Sequence, residues 1–350
     1  MNKTGWFKKL EGFTRAPLRF ITALYVLGGM ILLFVTQMVG EEFWMTTLVL
    51  YSAPGFWLAP MLVLIPVALV VDRWLAVVCL ALVPLFLCYH MGWQLPRGAD
   101  TAKSNFNVLT NNVGQRGKTS FRKYQEKVFP DVILLQEVGG RIFKYERDFP
   151  GYHGASSGEF GILSRHPILV AEPVPGLDVP AASRFKVLVG KDVLVLYNVH
   201  LPTPRRNLQK LRGNGFLHSA FKGGGVFSSE VRKECQAFMD TNLRLARQLA
   251  DAAAKEKHPV ILAGDFNAPA MGRVARLMSE AFIDIHRDKG GGFGFTFPGV
   301  SRNPLSFFGP WMRIDHIYCS QTLRPVSCRV EPKRPSQHLA VAAGFDLSGH

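Results

Sequence analysis

Charge is missing from most of the first 96 residues. Residues 20–40, 43–71 and 74–96 contain no Asp, Glu, Lys or Arg, which leaves uncharged runs of 21, 29 and 23 residues. A helix needs about 20 apolar residues to cross a hydrocarbon core. Each run is therefore long enough, and three spans are expected in place of a wholly soluble chain. Cysteine is scarce, with five in 350 residues, which excludes a secreted disulfide-rich mini-domain, and no Cys/His spacing resembles a zinc site. Acidic residues are outnumbered, 26 against 41 basic, for a net charge of +15. The first 96 residues hold only six basic and four acidic groups, so residues 97–350 carry +13 of that charge. A hydrophobic content of 48% excludes a disordered chain.

Lys3, Lys8, Lys9, Arg15 and Arg19 precede the first apolar run, and a basic flank favours the cytoplasmic side. Residues 1–19 thus read as a cytoplasmic basic N-terminus. The run Phe20–Gly40 is long for a signal-peptide core, which points to a retained anchor. Residues 20–95 form the expected transmembrane region, its spans separated by Glu41-Glu42 and Asp72-Arg73. Ser52, Pro54, Gly55, Pro60 and Pro66 make the second run irregular. Its membrane part is expected at Ser52–Val71, with Phe43–Tyr51 nearer the interface. Trp44, Trp57, Trp74 and Trp93 suit interfacial anchoring. Three crossings would place the remainder on the outer side: periplasm, exterior or lumen; with one run lying only at the interface, it would fall on the cytoplasmic side. Apart from thiols and tyrosines, only His90 in these runs is ionisable, so they read as an anchor and not as a transporter. Residues 96–105 form a polar linker, and 106–350 a globular domain. Cys319 and Cys328 flank a turn at Gln321–Pro325; they either face one another across a hairpin or stay as two buried thiols.

In the globular domain, strands dominate and helices punctuate: an α+β or α/β pattern. Strands are expected at Phe106–Val113, Asp131–Gln136, Gly161–Ser164, Phe185–Val189, Val193–His200, Val260–Gly264, Ile314–Cys319, Val326–Val330 and His338–Gly344, with helices at Glu230–Lys257 and Met271–Glu280. Several apolar strands end abruptly in residues able to do chemistry. VILLQEV ends at Glu137, VLYNVHLP carries Asn198 and His200, VILAGDFNAP presents Asp265 and Asn267, and RIDHIY carries Asp315. A carboxylate at the end of a buried strand is costly unless it is solvated, paired or bound to a metal. Asp265 and Asn267, two apart, would point the same way in an extended segment.

In chain order, the segments TNNVG, LQEV, GILSRHPI, NVHLP, GDFNAP, RIDHIY and SQH resemble the endonuclease/exonuclease/phosphatase superfamily, the metal-dependent phosphodiesterases related to deoxyribonuclease I. The resemblance covers about residues 105–345 and leaves out the apolar runs. It implies a four-layer sandwich of two central β-sheets flanked by helices, and a hydrolase that cleaves phosphoesters by in-line attack of water. It makes Glu137 the main metal carboxylate with Asn112 beside it, Asn111 competing for that place. The ion implied is Mg²⁺, which prefers oxygen ligands, or Mn²⁺. Asp265 would orient or deprotonate the attacking water, and Asn267 would hold that water or a phosphate oxygen. His338 would contact the phosphoryl group, positioned by Asp315. His200 and Asn198 would approach the phosphate from the other side, unless they serve structure. Ser164 and Arg165 match the pattern but read as structural.

One position departs from the pattern. Ser336-Gln337-His338 stands where most relatives have Ser-Asp-His, so the site loses one negative charge and metal affinity is expected to fall. This departure leaves a second reading open, a module that binds phosphorylated ligands without turnover. Residues 193–229 contain no acid but include Arg205, Arg206, Lys210, Arg212 and Lys222. They are expected as a basic loop at the mouth of the site, suited to an anionic partner: a nucleic-acid backbone or membrane lipid headgroups.

Overall fold

The computed structural model describes residues 3–96, 104–114, 120–299 and 309–348. The expected linker at 96–105 falls mostly outside them. The chain begins with α1 (Lys3–Met38), a 3-10 turn (Gly40–Glu42), α2 (Trp44–Leu50), α3 (Gly55–Leu58), α4 (Met61–Val71) and α5 (Arg73–Tyr89). Then follow β1 (Phe106–Asn112), α6 (Arg122–Val128), β2 (Val132–Gln136), α7 (Ile142–Asp148), β3 (His153–Ser157), β4 (Phe160–Ser164), β5 (Ile168–Pro173), β6 (Ala182–Val189) and β7 (Asp192–His200). The remainder comprises α8 (Arg205–Arg212), α9 (Phe216–Lys222), α10 (Ser229–Ala254), β8 (Val260–Asp265), α11 (Arg273–Ala281), β9 (Ile283–Asp284), α12 (Ile285–Lys289), β10 (Asp315–Cys319), β11 (Arg324–Val330) and β12 (Val341–Asp346).

The strands form two mixed six-stranded sheets, ordered β11-β12-β1-β2-β4-β3 and β5-β6-β7-β8-β10-β9. Side chains alternate along each strand, and the alternation sorts three cores. Val108, Val132, Leu134 and Ile162 of the first sheet meet Phe185, Leu196, Ile261 and Ile317 of the second. On the outer face of the first sheet, Leu109, Ile133 and Leu163 pack with Phe121, Tyr124 and Phe149 around α6 and α7. On the outer face of the second, Val195, Tyr197 and Leu262 pack with Leu245, Ala246 and Leu249 of α10 and Val274 and Met278 of α11. Helix, sheet, sheet, helix: the four-layer α+β sandwich is present.

One open alternative is decided by the fold, for the buried thiols, and two expectations change. Cys319 and Cys328 do not face across a hairpin, because β10 and β11 belong to different sheets, and both are free and buried in the inter-sheet core. The basic stretch after β7 is not a bare loop but carries α8 and α9. Leu211 is buried from α8 against Cys235 and Met239 of α10, and Lys210 pairs with Glu234 at 2.5 Å, so that helix has an apolar anchor and part of its charge is matched.

The second change concerns the spans. Among the described residues one helix, Arg15–Met38 within α1, is long and apolar enough to cross a membrane; its 24 residues extend about 36 Å. The second run breaks after Leu50 and resumes at Gly55 with a bend of 85°, at the Ser-Ala-Pro-Gly interruption. The third yields α5, 17 residues with Pro84 inside, short of the usual span. Helices α4 and α5 form a hairpin beside α1: Arg19 grips Asp72 at 2.7 Å and Arg15 donates to the Val71 carbonyl at one end, and Gln37 reaches the Tyr89 carbonyl at the other. Of 28 exposed large hydrophobic residues among those described, 22 lie between Phe20 and Leu95.

Candidate functional site

The inward-facing positions of five strands turn polar at the same end. On β1, Phe106 and Val108 give way to Thr110 and Asn112; on β2, Val132 and Leu134 give way to Gln136. On β7, Leu194 and Leu196 are followed by Asn198 and His200; on β8, Ile261 and Ala263 by Asp265. Strand β10 enters at that end with Asp315 and continues to Ile317 and Cys319. The register aligns these ends, pairing Asn112 with Gln136, His200 with Asp265, and Asp315 with Asp265. Gly264 is required just before Asp265: it sits at φ +151° and any Cβ would collide with the Val199 carbonyl.

Asn112 lies between two carboxylates. Its amide nitrogen donates to Glu137 Oε1 at 3.0 Å and to Asp265 Oδ2 at 2.9 Å. Asn111 is turned elsewhere, accepting from Arg334 at 2.9 Å, so of the two asparagines Asn112 is the one in the cluster. Glu137 takes φ +58°, a left-handed conformation unusual for a side-chain-bearing residue. Arg141 holds that turn, donating to the carbonyls of Glu137 and Val138, both at 2.7 Å.

Asp265 is 1% exposed. His200 Nε2 and His338 Nε2 stand 3.7 and 3.6 Å from its Oδ2, one from each side. The far ring nitrogen of each histidine has its own carboxylate: His200 Nδ1 meets Glu159 at 2.8 Å, and His338 Nδ1 meets Asp315 at 3.0 Å. Such partners fix ring orientation and favour the charged imidazole. Burial pulls His338 down, but Asp315, Asp265 and Glu137 outweigh it and raise the group to about 9. His200 is likewise raised, with burial opposed by Glu159 and Asp265. The Oγ of Thr296 accepts from the backbone nitrogens of Ile314 and Asp315 at 3.3 Å each, fixing the start of β10.

Asn267 does not continue an extended segment beside Asp265. It sits at φ +48° and donates its backbone N–H to Asp265 Oδ1 at 2.9 Å, an Asx turn, while its side-chain amide donates to the Leu201 carbonyl at 2.8 Å. Asn198 is fully buried between the sheets and donates to the carbonyls of Leu135 and Gly161. Its oxygen accepts from Gln136 at 2.6 Å. It cross-links the two sheets beneath the cluster, away from any surface a substrate could touch. Arg205 and Arg206 are exposed on the first turn of α8, and Gln337 is exposed beside His338. Ser164 caps the His166 amide and Arg165 lies 3.3 Å over the Phe129 ring, both structural.

The site therefore gathers Asn112, Glu137, His200, Asp265, Asn267, Asp315 and His338. Sequence reasoning did not single out Glu159, Gln136 or Thr296. Gln136 stands next to Glu137 in LQEV and could have been found by its inward parity; Glu159 and Thr296 lie in connecting segments without a periodic signal.

Ligand atoms of Asp265, Asp315 and His338 all lie within 4.8 Å of one another, close enough to hold a metal ion. Asp315 and His338, however, already satisfy each other. The corner where Glu137 and Asp265 converge on the Asn112 amide offers the oxygen ligands a hard divalent cation prefers, and the amide N–H groups there occupy the place of positive charge. The residues fit such an ion.

Residues 105–338 match the Endonuclease/Exonuclease/phosphatase family. No curated protein matches the chain. Among solved structures, the chain is similar to humanized TDP2 of D. rerio carrying 14 mutations, at 16% identity and a TM-score of 0.49 over 69% of this chain and 98% of that one. It is also similar to the Neisseria 3′ phosphatase NExo bound to product DNA hairpin, at 18% identity and a TM-score of 0.45 over 69% and 99%. A mannosyl-6-phosphatase from Bacteroides thetaiotaomicron aligns at 16% identity and a TM-score of 0.45 over 69% and 100%. With the family match covering two thirds of its length, the chain belongs to the endonuclease/exonuclease/phosphatase family.

Proposed function

We propose that the chain is a membrane-anchored, divalent-metal-dependent hydrolase of phosphoesters. The observation that carries this reading is the convergence of Glu137, Asn112, Asp265 and the Asp315–His338 pair at the polar end of the inter-sheet core. Glu137 and Asn112 would hold Mg²⁺ or Mn²⁺, with the Asn112 amide turned to present its oxygen. The ion, when bound, supplies polarisation of a phosphoryl oxygen and neutralisation of developing charge. Asp265 accepts a proton from the attacking water and is held for this by the Asn267 amide. His338, kept protonated by Asp315, donates to the phosphoryl group as negative charge builds on it. His200, backed by Glu159, approaches from the opposite side.

The substrate class is an anionic phosphodiester, a nucleic acid or a phospholipid headgroup, with Arg205 and Arg206 on the approach. Helix α1 is the anchor, its basic start in the cytoplasm and its Met38 end on the outer side. Because α4 and α5 return as a hairpin, they leave the side of the sandwich unchanged whether or not they insert fully. The sandwich then faces the periplasm, exterior or lumen.

The test uses the detergent-solubilised full chain with Mg²⁺ against bis(p-nitrophenyl) phosphate, then DNA, RNA, sphingomyelin and phosphoinositides. Turnover abolished by Glu137→Ala and by Asp265→Asn is expected. Phosphate-ligand binding without turnover at any metal concentration would instead favour the binding module.

A further inference from the structure

The segment between α1 and α3 is clamped onto the loop that leaves Asp265. The Glu41 carboxylate is buried and accepts from the backbone nitrogen of Arg273, the first residue of α11. A Cβ on neighbouring Gly272 would collide with that carboxylate. Glu42 pairs with the Arg273 guanidinium at 2.9 Å. Gln236 of α10 accepts from the Trp44 amide and donates to the Glu42 carbonyl, both at 2.9 Å. Trp44 and Leu48 pack on Cys235 and Met239. At the other end of α2, the Tyr51 hydroxyl donates to the Asn267 carbonyl at 2.7 Å.

These contacts bracket the loop 266–272: Tyr51 holds its start and Glu41 its end. Asn267 is thereby fixed at three atoms. Its amide nitrogen binds Asp265, its side chain binds the Leu201 carbonyl just past β7, and its carbonyl binds Tyr51. The first two partners belong to the sandwich, and the third comes from the apolar N-terminal region. Asn267 also sits at φ +48°, a conformation that a non-glycine residue keeps only when its surroundings hold it there.

We propose that Tyr51 is a positioning residue for the hydrolysis: its bond to the Asn267 carbonyl locks the peptide whose neighbouring N–H aims the Asp265 carboxylate. The inference rests on the reading of the site as a phosphoester hydrolase. The strap from the anchor thus completes the site, and activity depends on the anchor's contact with the sandwich as well as on the sandwich itself.

Tyr51→Phe removes only the hydroxyl and keeps the ring. In the full chain, with bis(p-nitrophenyl) phosphate and Mg²⁺, kcat is expected to fall about tenfold with KM unchanged, since Tyr51 acts through the Asn267 carbonyl. Amide hydrogen exchange in peptides covering 266–272 should quicken, with exchange in α10 unaltered. Glu41→Ala, which loosens the other end of the clamp, should quicken exchange in the same peptides. Unchanged kcat, or a raised KM with unchanged kcat, would overturn the assignment. If wild type itself shows no turnover that Asp265→Asn abolishes, the hydrolase reading fails, and the exchange measurement alone decides the clamp: faster exchange in Tyr51→Phe upholds it and identical exchange removes it.

Discussion

Two buried polar clusters lie next to each other along one stretch of chain. Asp315 faces the inter-sheet core and joins the candidate site; Arg313 and His316 join another group with Asp284, His286 and Tyr318. In the second cluster Arg313 grips Asp284 through two bonds of 3.0 and 2.8 Å, both side chains nearly fully buried. One guanidinium answers one carboxylate. In the first, two carboxylates, Asp265 and Asp315, lean on one imidazole. A closed ion pair holds a fold together, whereas a cluster with carboxylates converging on a shared donor is poised to take a cation and move a proton. Under the proposed function, this difference in stoichiometry separates structure from chemistry at adjacent positions.

The sharpest way to break this comparison is a pair of isosteric replacements. Asp265→Asn should lower kcat by about a thousandfold or more while leaving the melting temperature nearly unchanged. Asp284→Asn should do the reverse, since removing one partner of a buried pair costs about 3–5 kcal/mol, while activity per folded molecule is retained. Steady-state kinetics and thermal melts on both proteins decide it. Equal effects on both readouts would erase the distinction.

The two clusters should also titrate in opposite directions. Burial, aided by Arg313, lowers His286 and His316 to about 4. They fold neutral, so their contribution to stability is complete above about 6.5 and is lost as pH falls toward 4, on the order of 3 kcal/mol each when fully titrated. His338, raised to about 9, folds charged, so what it supplies persists below 6.5 and is lost as pH rises through about 9. Melting temperature should decline on the acid side and kcat on the alkaline side. His286→Leu should shrink the acid limb by about half, leaving the share of His316, without touching the alkaline limb, and His338→Gln should remove the alkaline limb along with most activity.

Smaller effects refine the picture. Asn198→Leu removes the cross-link between the sheets and leaves Gln136 short of a buried partner, which should cost about 1–3 kcal/mol with a lesser effect on KM; a denaturant titration measures it. Least of all, Gln337→Asp should lower the Mg²⁺ concentration needed for half-maximal activity, with little change in kcat at saturating Mg²⁺. An unaltered Mg²⁺ requirement would show that the departure at Gln337 is neutral.

Much of the sandwich was legible because its strands are apolar on their inward positions and end in chemistry-bearing residues. Glu137, His200, Asp265 and Asp315 stand where a short-range pattern stops, and that stop is visible in a string of letters. Strands β3 and β5 were missed because they lie at sheet edges with mixed, partly exposed side chains, HGASS and ILVAEP. The two alternatives for Cys319 and Cys328 stayed open because strand adjacency in sequence does not say whether the chain changes sheet; the fold has the buried thiols. Helix α8 was hidden by its charge, although Leu211 anchors it, and α9 by its seven-residue length and the glycines at 213, 215 and 223–225 that surround it. Three uncharged runs suggested three spans, but proline, glycine and length, set against one another in space, leave one helix of full spanning length. The Tyr51 contact lay beyond reach, since nothing local links residue 51 to residue 267.

The seam between the sheets has a consequence for synthesis. Asn112 and Glu137 come from one sheet, His200, Asp265 and Asp315 from the other, and His338 from the segment entering β12. No half of the sandwich contains a working set. Under the proposed function, a nascent chain emerging from the ribosome, or a partly folded intermediate with a single sheet formed, would be inert toward the phosphoesters around it. A hydrolase of this design stays silent until its last contributing residue has been made and both sheets have closed.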